Sequence, residues 1–367
     1  MCPRKADRWD DAEGEEPFAS LASLVFALTS FRRSPSTGLT TRTARGRTST
    51  GNIFARGAQD MKCVGVQYME ALRKLLKEGK QFERTIHILW GPDEELGGGD
   101  GMKKFVKTQE FRDLNVGFAL DEGLASEDDT YKVYYAERNV WWVKVNAKGT
   151  PGHGSRFQEN TAGAKLQSII NSFLKFRSEQ EQRLKSNPDL KLGDVTTVNL
   201  TKVDGGVQMN VIPAEFNAYF DIRIPPTVDL QAFENQLAAW CKEAGPDVTY
   251  ELLESNRITK TTPTTPDNPF WNAFSSVLEE EKCKISKEIF IGATDSRYLR
   301  DLGYWAIGFS PMINTPVLLH DHNEFLNEKV FLKASDGLIV SFRIYSLLFK
   351  GIQIYTKLIE RLANVPQ

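Results

Sequence analysis

The chain has 367 residues, 41% of them hydrophobic, which is enough for about two or three domains with buried cores. Lys and Arg number 46 against 48 Asp and Glu, a formal net charge of -2, so no global basic field exists to recruit nucleic acid or anionic lipid. Cys2, Cys63, Cys241 and Cys283 lie far apart without paired spacings, which argues against a disulfide framework and for a reducing, cytoplasmic setting.

Residues 1–52 read unlike the rest. An acidic patch (Asp10, Asp11, Glu13, Glu15, Glu16) precedes an apolar run, about Phe18 to Phe31, too short to span a bilayer, and then a stretch rich in Arg, Ser and Thr. No periodicity organises this segment, and it reads as disordered or as a faulty start to the chain. From Asn52 the patterning is strict. Met61, Val64, Tyr68, Leu72, Leu75 and Leu76 recur at three- and four-residue spacing and predict a helix beginning just after Asp60. Thr85 to Trp90 predicts a strand ending in Gly91-Pro92-Asp93-Glu94-Glu95, and Val116 to Leu120 a strand running into Asp121-Glu122-Gly123. Strand, helix and strand in alternation imply an α/β sheet, whose ligands gather beyond the carboxyl ends of the strands.

The middle third changes rhythm. Strands are predicted at Val140–Val145, Val195–Val203, Phe216–Ile224 and Val248–Leu253, with helices at Ala162–Leu184 and Asp229–Glu243. The order βαββαβ is the ferredoxin-like layout, so residues 139–257 are expected to form an inserted second domain. Residues 53–138 and 258–367 then form one domain, a mixed sheet flanked by helices, with a further strand at Tyr304–Phe309. Asn199-Leu200-Thr201 matches a glycosylation sequon but reads as strand, His87 reads as packing, and Trp141-Trp142 as core and interdomain packing.

Three carboxylate groups fall where a sheet would converge them: Asp60 before a helix, Glu94-Glu95 after one strand and Glu122 after another. Carboxylates packed together repel unless protons or a cation intervene, and several of them with an imidazole suit a divalent metal such as zinc. Only His87, His153, His320 and His322 can supply imidazoles, and His320 in Leu319-His320-Asp321-His322 is the foremost donor. Each element alone has an ordinary structural role, Asp60 as a helix cap and the histidines as surface residues. Their combination is more specific. Ala55-Arg56-Gly57-Ala58-Gln59-Asp60-Met61-Lys62, Pro92-Asp93-Glu94-Glu95-Leu96-Gly97-Gly98, Leu120-Asp121-Glu122-Gly123, Pro151-Gly152-His153 and His320-Asp321-His322 resemble, in order and spacing, the aminoacylases of the M20 metallopeptidase family over residues 51–333 and 351–365.

That resemblance implies a hydrolase that splits N-acyl-L-amino acids to a carboxylate and a free amino acid, working as a homodimer through the middle domain with two zinc ions per subunit. It assigns Asp60 as the carboxylate bridging both ions, Glu95 and His320 as ligands of one, Glu122 as a ligand of the other, and Glu94 as general base. His153 matches a histidine that reaches into the partner's site. Arg223 matches the residue that holds the substrate carboxylate, and Asn210 and Thr294 match pocket residues. The family also carries a His-x-Asp motif upstream of Asp60, whereas no histidine here precedes His87. One ion therefore keeps Asp60, Glu95 and His320, while the other keeps only Asp60 and Glu122 and is expected to bind weakly. Residues 334–350 read as an insertion relative to the family. The alternatives are a dipeptidase or deacetylase of the same family, and a silent paralogue that serves as a dimer partner.

Overall fold

The structure is a computed structural model that describes residues 23–29, 46–47, 51–327 and 350–366. It opens with strands β1 (Ser23–Thr29), β2 (Gly46–Arg47) and β3 (Asn52–Phe54), then helix α1 (Lys62–Lys77) and strand β4 (Ile86–Gly91). Val64, Tyr68, Ala71 and Leu75 form the buried stripe of α1, as the spacing requires, and Lys74 and Lys77 close its last turn, where positive charge meets the helix dipole favourably. A single 3-10 turn, Glu94–Leu96, precedes the short helices α2 (Met102–Phe105) and α3 (Gln109–Asp113) and strands β5 (Val116–Asp121) and β6 (Thr130–Glu137).

The chain then crosses into β7 (Asn139–Lys148), β8 (Gly152–His153), α4 (Ala162–Ser186), β9 (Thr197–Gly205), β10 (Val211–Ile212), β11 (Glu215–Ile224), α5 (Leu230–Ala244) and β12 (Val248–Ser255). It returns through α6 (Pro269–Glu280), β13 (Lys284–Phe290), α7 (Ser296–Leu302), β14 (Trp305–Phe309), β15 (Phe325–Asn327) and α8 (Lys350–Ala363). The helix starts are chemically marked. The Thr161 hydroxyl accepts from Ala164 N, Asp229 from Gln231 N and Ala232 N, and Asn268 from Phe270 N and Trp271 N ahead of Pro269 in the first turn.

Six strands make one mixed sheet in the order β13-β6-β14-β5-β1-β4, parallel throughout except between β14 and β6. Here one expectation is corrected: Ser23–Thr29, inside the stretch read as unorganised, is a strand paired in parallel with both β4 and β5. Its apolar run Leu-Val-Phe-Ala-Leu suits an interior strand of a parallel sheet, and a run of that kind carries no alternation to mark it in the sequence. Residues 1–22 and the proposed insertion, apart from Lys350, lie outside the described residues. On one side of the sheet α1, α6 and α8 share a core around Tyr68, Phe274, Phe309 and Tyr355. The Tyr68 and Tyr355 rings meet edge-on at 4.5 Å, and the Tyr355 hydroxyl donates to the Phe309 carbonyl at 2.7 Å, satisfying a phenol buried under the sheet.

A second, antiparallel sheet runs β12-β7-β11-β9, with α4 and α5 packed on one face around Trp141, Phe173, Phe220 and Phe233. Strand alternation splits the tryptophan pair: Trp141 is buried, whereas Trp142 stands half-exposed on the opposite face and donates to Asp221 at 2.9 Å. Its expected packing role therefore holds for Trp141 alone. Where the chain passes between sheets, the Asn139 amide donates to the Ile258 carbonyl at 3.0 Å and accepts from Ile258 N at 2.7 Å, stitching both crossings together. The Phe173 and Phe220 rings stack at 3.9 Å in the core of the second sheet. Phe220→Ala should cost about 3–5 kcal/mol of stability, measured by urea unfolding followed by far-UV circular dichroism; a loss under about 1 kcal/mol would show that this core is not close-packed.

Candidate active site and metal centre

The small antiparallel sheet β15-β3-β2 pairs Phe54 with Phe325, so the chain leaving β3 (residues 55–60) runs beside the chain entering β15 (residues 316–324). Asp60 ends the first of these segments and His320 lies in the second. Glu95 follows the carboxyl end of β4 and Glu122 that of β5, parallel strands separated in the sheet by β1 alone. The fold thus aims four side chains from four segments at one place, beyond the carboxyl edge of the sheet.

His320 Nε2 lies 3.1 Å from Asp60 Oδ2 and 2.9 Å from Glu95 Oε2. One potential ligand atom from each of Asp60, Glu95 and His320 falls within 4.8 Å of the others, a nitrogen and two carboxylate oxygens, which is the donor set a zinc or similar divalent ion takes. Glu122 joins them through a hydrogen bond with Asp60. All four residues expected to hold metal are brought together.

The electrostatics describe carboxylates crowded beyond comfort. Burial, and after it the charges of Asp60, Glu94 and Asp121, hold Glu122 well above the usual carboxylate range, and it shares a hydrogen bond with Asp60. Burial also raises Asp60, but the hydrogen bonds from His320 and Glu122 outweigh it and bring that carboxyl below its ordinary value. Burial and the Asp60 charge raise Glu95. Glu94, buried beside Asp295, Asp121 and Glu95, is pushed up to about 9, and Asp295, for the same reasons, to about 7. The hydrogen bond with Asp60, with the Glu95 and Asp60 charges, lifts His320 to about 9 against the opposing effect of burial.

Behind the cluster lies a buried polar layer that the linear pattern did not disclose. Asp121 accepts from the Ser296 hydroxyl at 2.6 Å and from Ser296 N at 3.0 Å. Glu137 pairs with Arg300 at 2.6 Å, each side chain only 3% exposed, and accepts from Thr294 N at 2.6 Å. Arg297 and Tyr298 both donate to the Gly97 carbonyl, which closes the turn carrying Glu94 and Glu95; Gly97 holds the left-handed conformation that ends this turn. Their only advance signal was the polar run Thr294-Asp295-Ser296-Arg297.

The remaining expected residues lie elsewhere. Thr294 is buried in the Asp121–Glu137 layer, with its hydroxyl accepting from Ser296 N at 3.2 Å. His153 and Asn210 sit together at the β8–β10 ribbon, both exposed, the His153 ring meeting Ser155 at 2.8 Å and the Asn210 carbonyl accepting from Gly154 N. Arg223, on the helix-free face of the second sheet, is held by Asp221 through two hydrogen bonds of 2.7 and 2.8 Å. Among the described residues no hydrogen bond or ion pair joins His153, Asn210 or Arg223 to the Asp60 cluster. His87 lies half-buried in β4 and His322 is exposed.

With the carboxylate and imidazole cluster in place, comparison with known proteins is decisive. Residues 35–339 match the model of Peptidase family M20/M25/M40. The chain belongs to that family. It is 52% identical over 318 residues to rat (Rattus norvegicus) Aminoacylase-1B, covering 87% of this chain and 74% of that one. The figures are the same for human (Homo sapiens) Aminoacylase-1. Among solved structures, aminopeptidase PepT from Bacillus cereus superposes with a TM-score of 0.64 at 15% identity, over 94% of this chain and 81% of that one, a likeness of fold. The M20 chain is thus a hydrolase by descent, of a metal-dependent kind.

The raised groups predict a pH dependence. His320, Glu94 and Asp295 all hold protons more tightly folded than unfolded, so their stabilisation is complete below their ordinary values and disappears as pH rises through about 7 to 9. The melting temperature of metal-free protein should therefore fall from pH 5 to about 9. Zinc should flatten that decline, because a cation replaces the protons; a decline unchanged by zinc in thermal melts would contradict it.

Proposed function

We propose that this chain hydrolyses N-acyl-L-amino acids, that Asp60, Glu95 and His320 would hold a zinc ion, and that Asp60 with Glu122 would hold a second one more weakly. The convergence of those three donors within 4.8 Å carries the proposal, and the 52% identity to aminoacylases of rat and human directs it to this substrate class. When bound, the ion supplies Lewis acidity, lowering the pKa of a water and polarising the amide carbonyl. Glu94, whose proton affinity is raised by burial and by its carboxylate neighbours, takes a proton from the attacking water and delivers it to the leaving nitrogen as the C–N bond breaks. The water oxygen ends in the carboxylate product and the amine leaves as the free amino acid.

Residues 53–138 and 258–367 are assigned here as the catalytic domain and 139–257 as a ferredoxin-like lid. The βαββαβ order and the antiparallel arrangement β12-β7-β11-β9 with both helices on one face support the second assignment. In this reading the lid also joins two copies into a homodimer, and His153 works in the partner's site. The observation behind it is an exposed ribbon on which Phe157 and Met209 are left fully open to solvent near His153. Arg223 receives the substrate carboxylate once it exchanges Asp221 for it, its planar fork suiting either. Asn210 and Thr294 are assigned to the substrate pocket. Three free cysteines among the described residues suit the cytoplasm, and no helix among them is long and apolar enough to cross a membrane.

Glu94→Gln should lower kcat by about 100- to 10,000-fold while zinc content stays unchanged, measured on N-acetyl-methionine. A variant that retains turnover would remove Glu94 from the base role. Mixing Glu94→Gln with His153→Ala protein should restore turnover that neither has alone, since a mixed dimer rebuilds one complete site. A silent chain that merely lends His153 would give no turnover by itself, yet it would rescue a His153-defective active subunit.

A further inference from the structure

The two segments that carry Asp60 and His320 are fastened to each other by a pair of reciprocal side chains. Glu324, whose side chain is 2% exposed, accepts from Gly57 N and Gln59 N at 2.8 Å each and from Asp60 N at 3.4 Å, and it pairs with Arg56 at 3.2 Å. Gln59 answers in the other direction. Its amide donates to the Pro316 carbonyl at 3.0 Å and the Phe325 carbonyl at 2.7 Å, and its oxygen accepts from Leu318 N at 3.0 Å. His320 therefore lies between two anchored points, Leu318 and Glu324, in a left-handed backbone conformation (φ 63°) that is uncommon for a residue other than glycine. Gly57 is likewise left-handed, which turns its N–H toward Glu324, and a side chain there would press on the Asp60 carbonyl.

We propose that Glu324 and Gln59 are positioning residues of the metal centre, a clasp that sets the Asp60–His320 separation and so the affinity for the ion. This rests on the reading of Asp60, Glu95 and His320 as a zinc site. The physical reason is one of entropy and direction: residues more than 250 positions apart in sequence must be held to within a fraction of an ångström of one another before a ligand set is preorganised. A lone buried carboxylate accepting backbone donors does that without competing for the ion, since both its oxygens are engaged. An amide at position 324 could not. It offers one acceptor oxygen, and its NH2 would confront a backbone N–H.

The test uses zinc alone, titrated into the full-length metal-free chain against a chromogenic chelator, together with the visible spectrum of the cobalt-loaded protein and thermal melting of the metal-free form. His320→Ala should lose zinc uptake. Glu324→Gln and Gln59→Met should each bind zinc about 10- to 100-fold more weakly and alter the cobalt spectrum, whereas Glu324→Asp, which keeps the charge, should recover part of the affinity. If Glu324→Gln does not fold, Gln59→Met decides the matter. Folded Glu324→Gln and Gln59→Met proteins with wild-type zinc affinity and cobalt spectrum, beside a His320→Ala protein that has lost zinc, would overturn the clasp alone. Zinc uptake unchanged in His320→Ala would overturn the metal centre itself, and the clasp with it.

Discussion

Mutual repulsion among carboxylates is the constraint on which the rest of this structure depends. Asp60, Glu94, Glu95, Glu122, Asp121 and Asp295 crowd one edge of a sheet, where burial and their neighbours' charges raise Glu122, Glu94, Glu95 and Asp295, and His320 lies between Asp60 and Glu95. No arrangement of that kind is stable by accident, because each buried charge raises the cost of the next. A dication held by Asp60, Glu95 and His320, as proposed above, would relieve that repulsion.

The fold supports the crowding with layers of engaged polar groups. Backbone and hydroxyl of Ser296 hold Asp121, Arg300 neutralises Glu137, and Arg297 with Tyr298 fixes the turn of Glu94 and Glu95 through one carbonyl. Asp121, Glu137 and the Gly97 carbonyl each accept at least two hydrogen bonds, which limits how far these groups can rotate away. A site assembled on the ends of β4 and β5 and on two hydrogen-bonded loop segments is built on rigid elements, as a preorganised ligand set requires.

The second sheet plays a different part. Its helix-free face carries Trp142, Asp221 and Arg223, and its β8–β10 ribbon carries His153, all remote from the Asp60 cluster in hydrogen-bond terms. The two chain crossings, stitched by Asn139 and Ile258, are the narrow connection through which these groups are presented. A substrate carboxylate competing with Asp221 for Arg223 would tie the two sheets' chemistry together.

Much of this was legible in the linear chain. The helical spacing of α1, the alternation of β11 and the βαββαβ order are local periodicities, dictated by which residues must face away from water, and they placed most elements to within a few residues. Asp60, Glu94, Glu95, Glu122 and His320 were singled out by the resemblance of their motifs, in order and spacing, to the M20 aminoacylases, and the fold brings Asp60, Glu95, Glu122 and His320 together. Strand β1 was not legible, since its continuous apolar run carries no alternation, and Glu324 was not, since nothing in a run of polar residues says which one folds inward. Those two, with the Ser296 and Arg300 layer, were decided only when segments distant in sequence met, since strand pairing and the partners of a buried polar group are both tertiary.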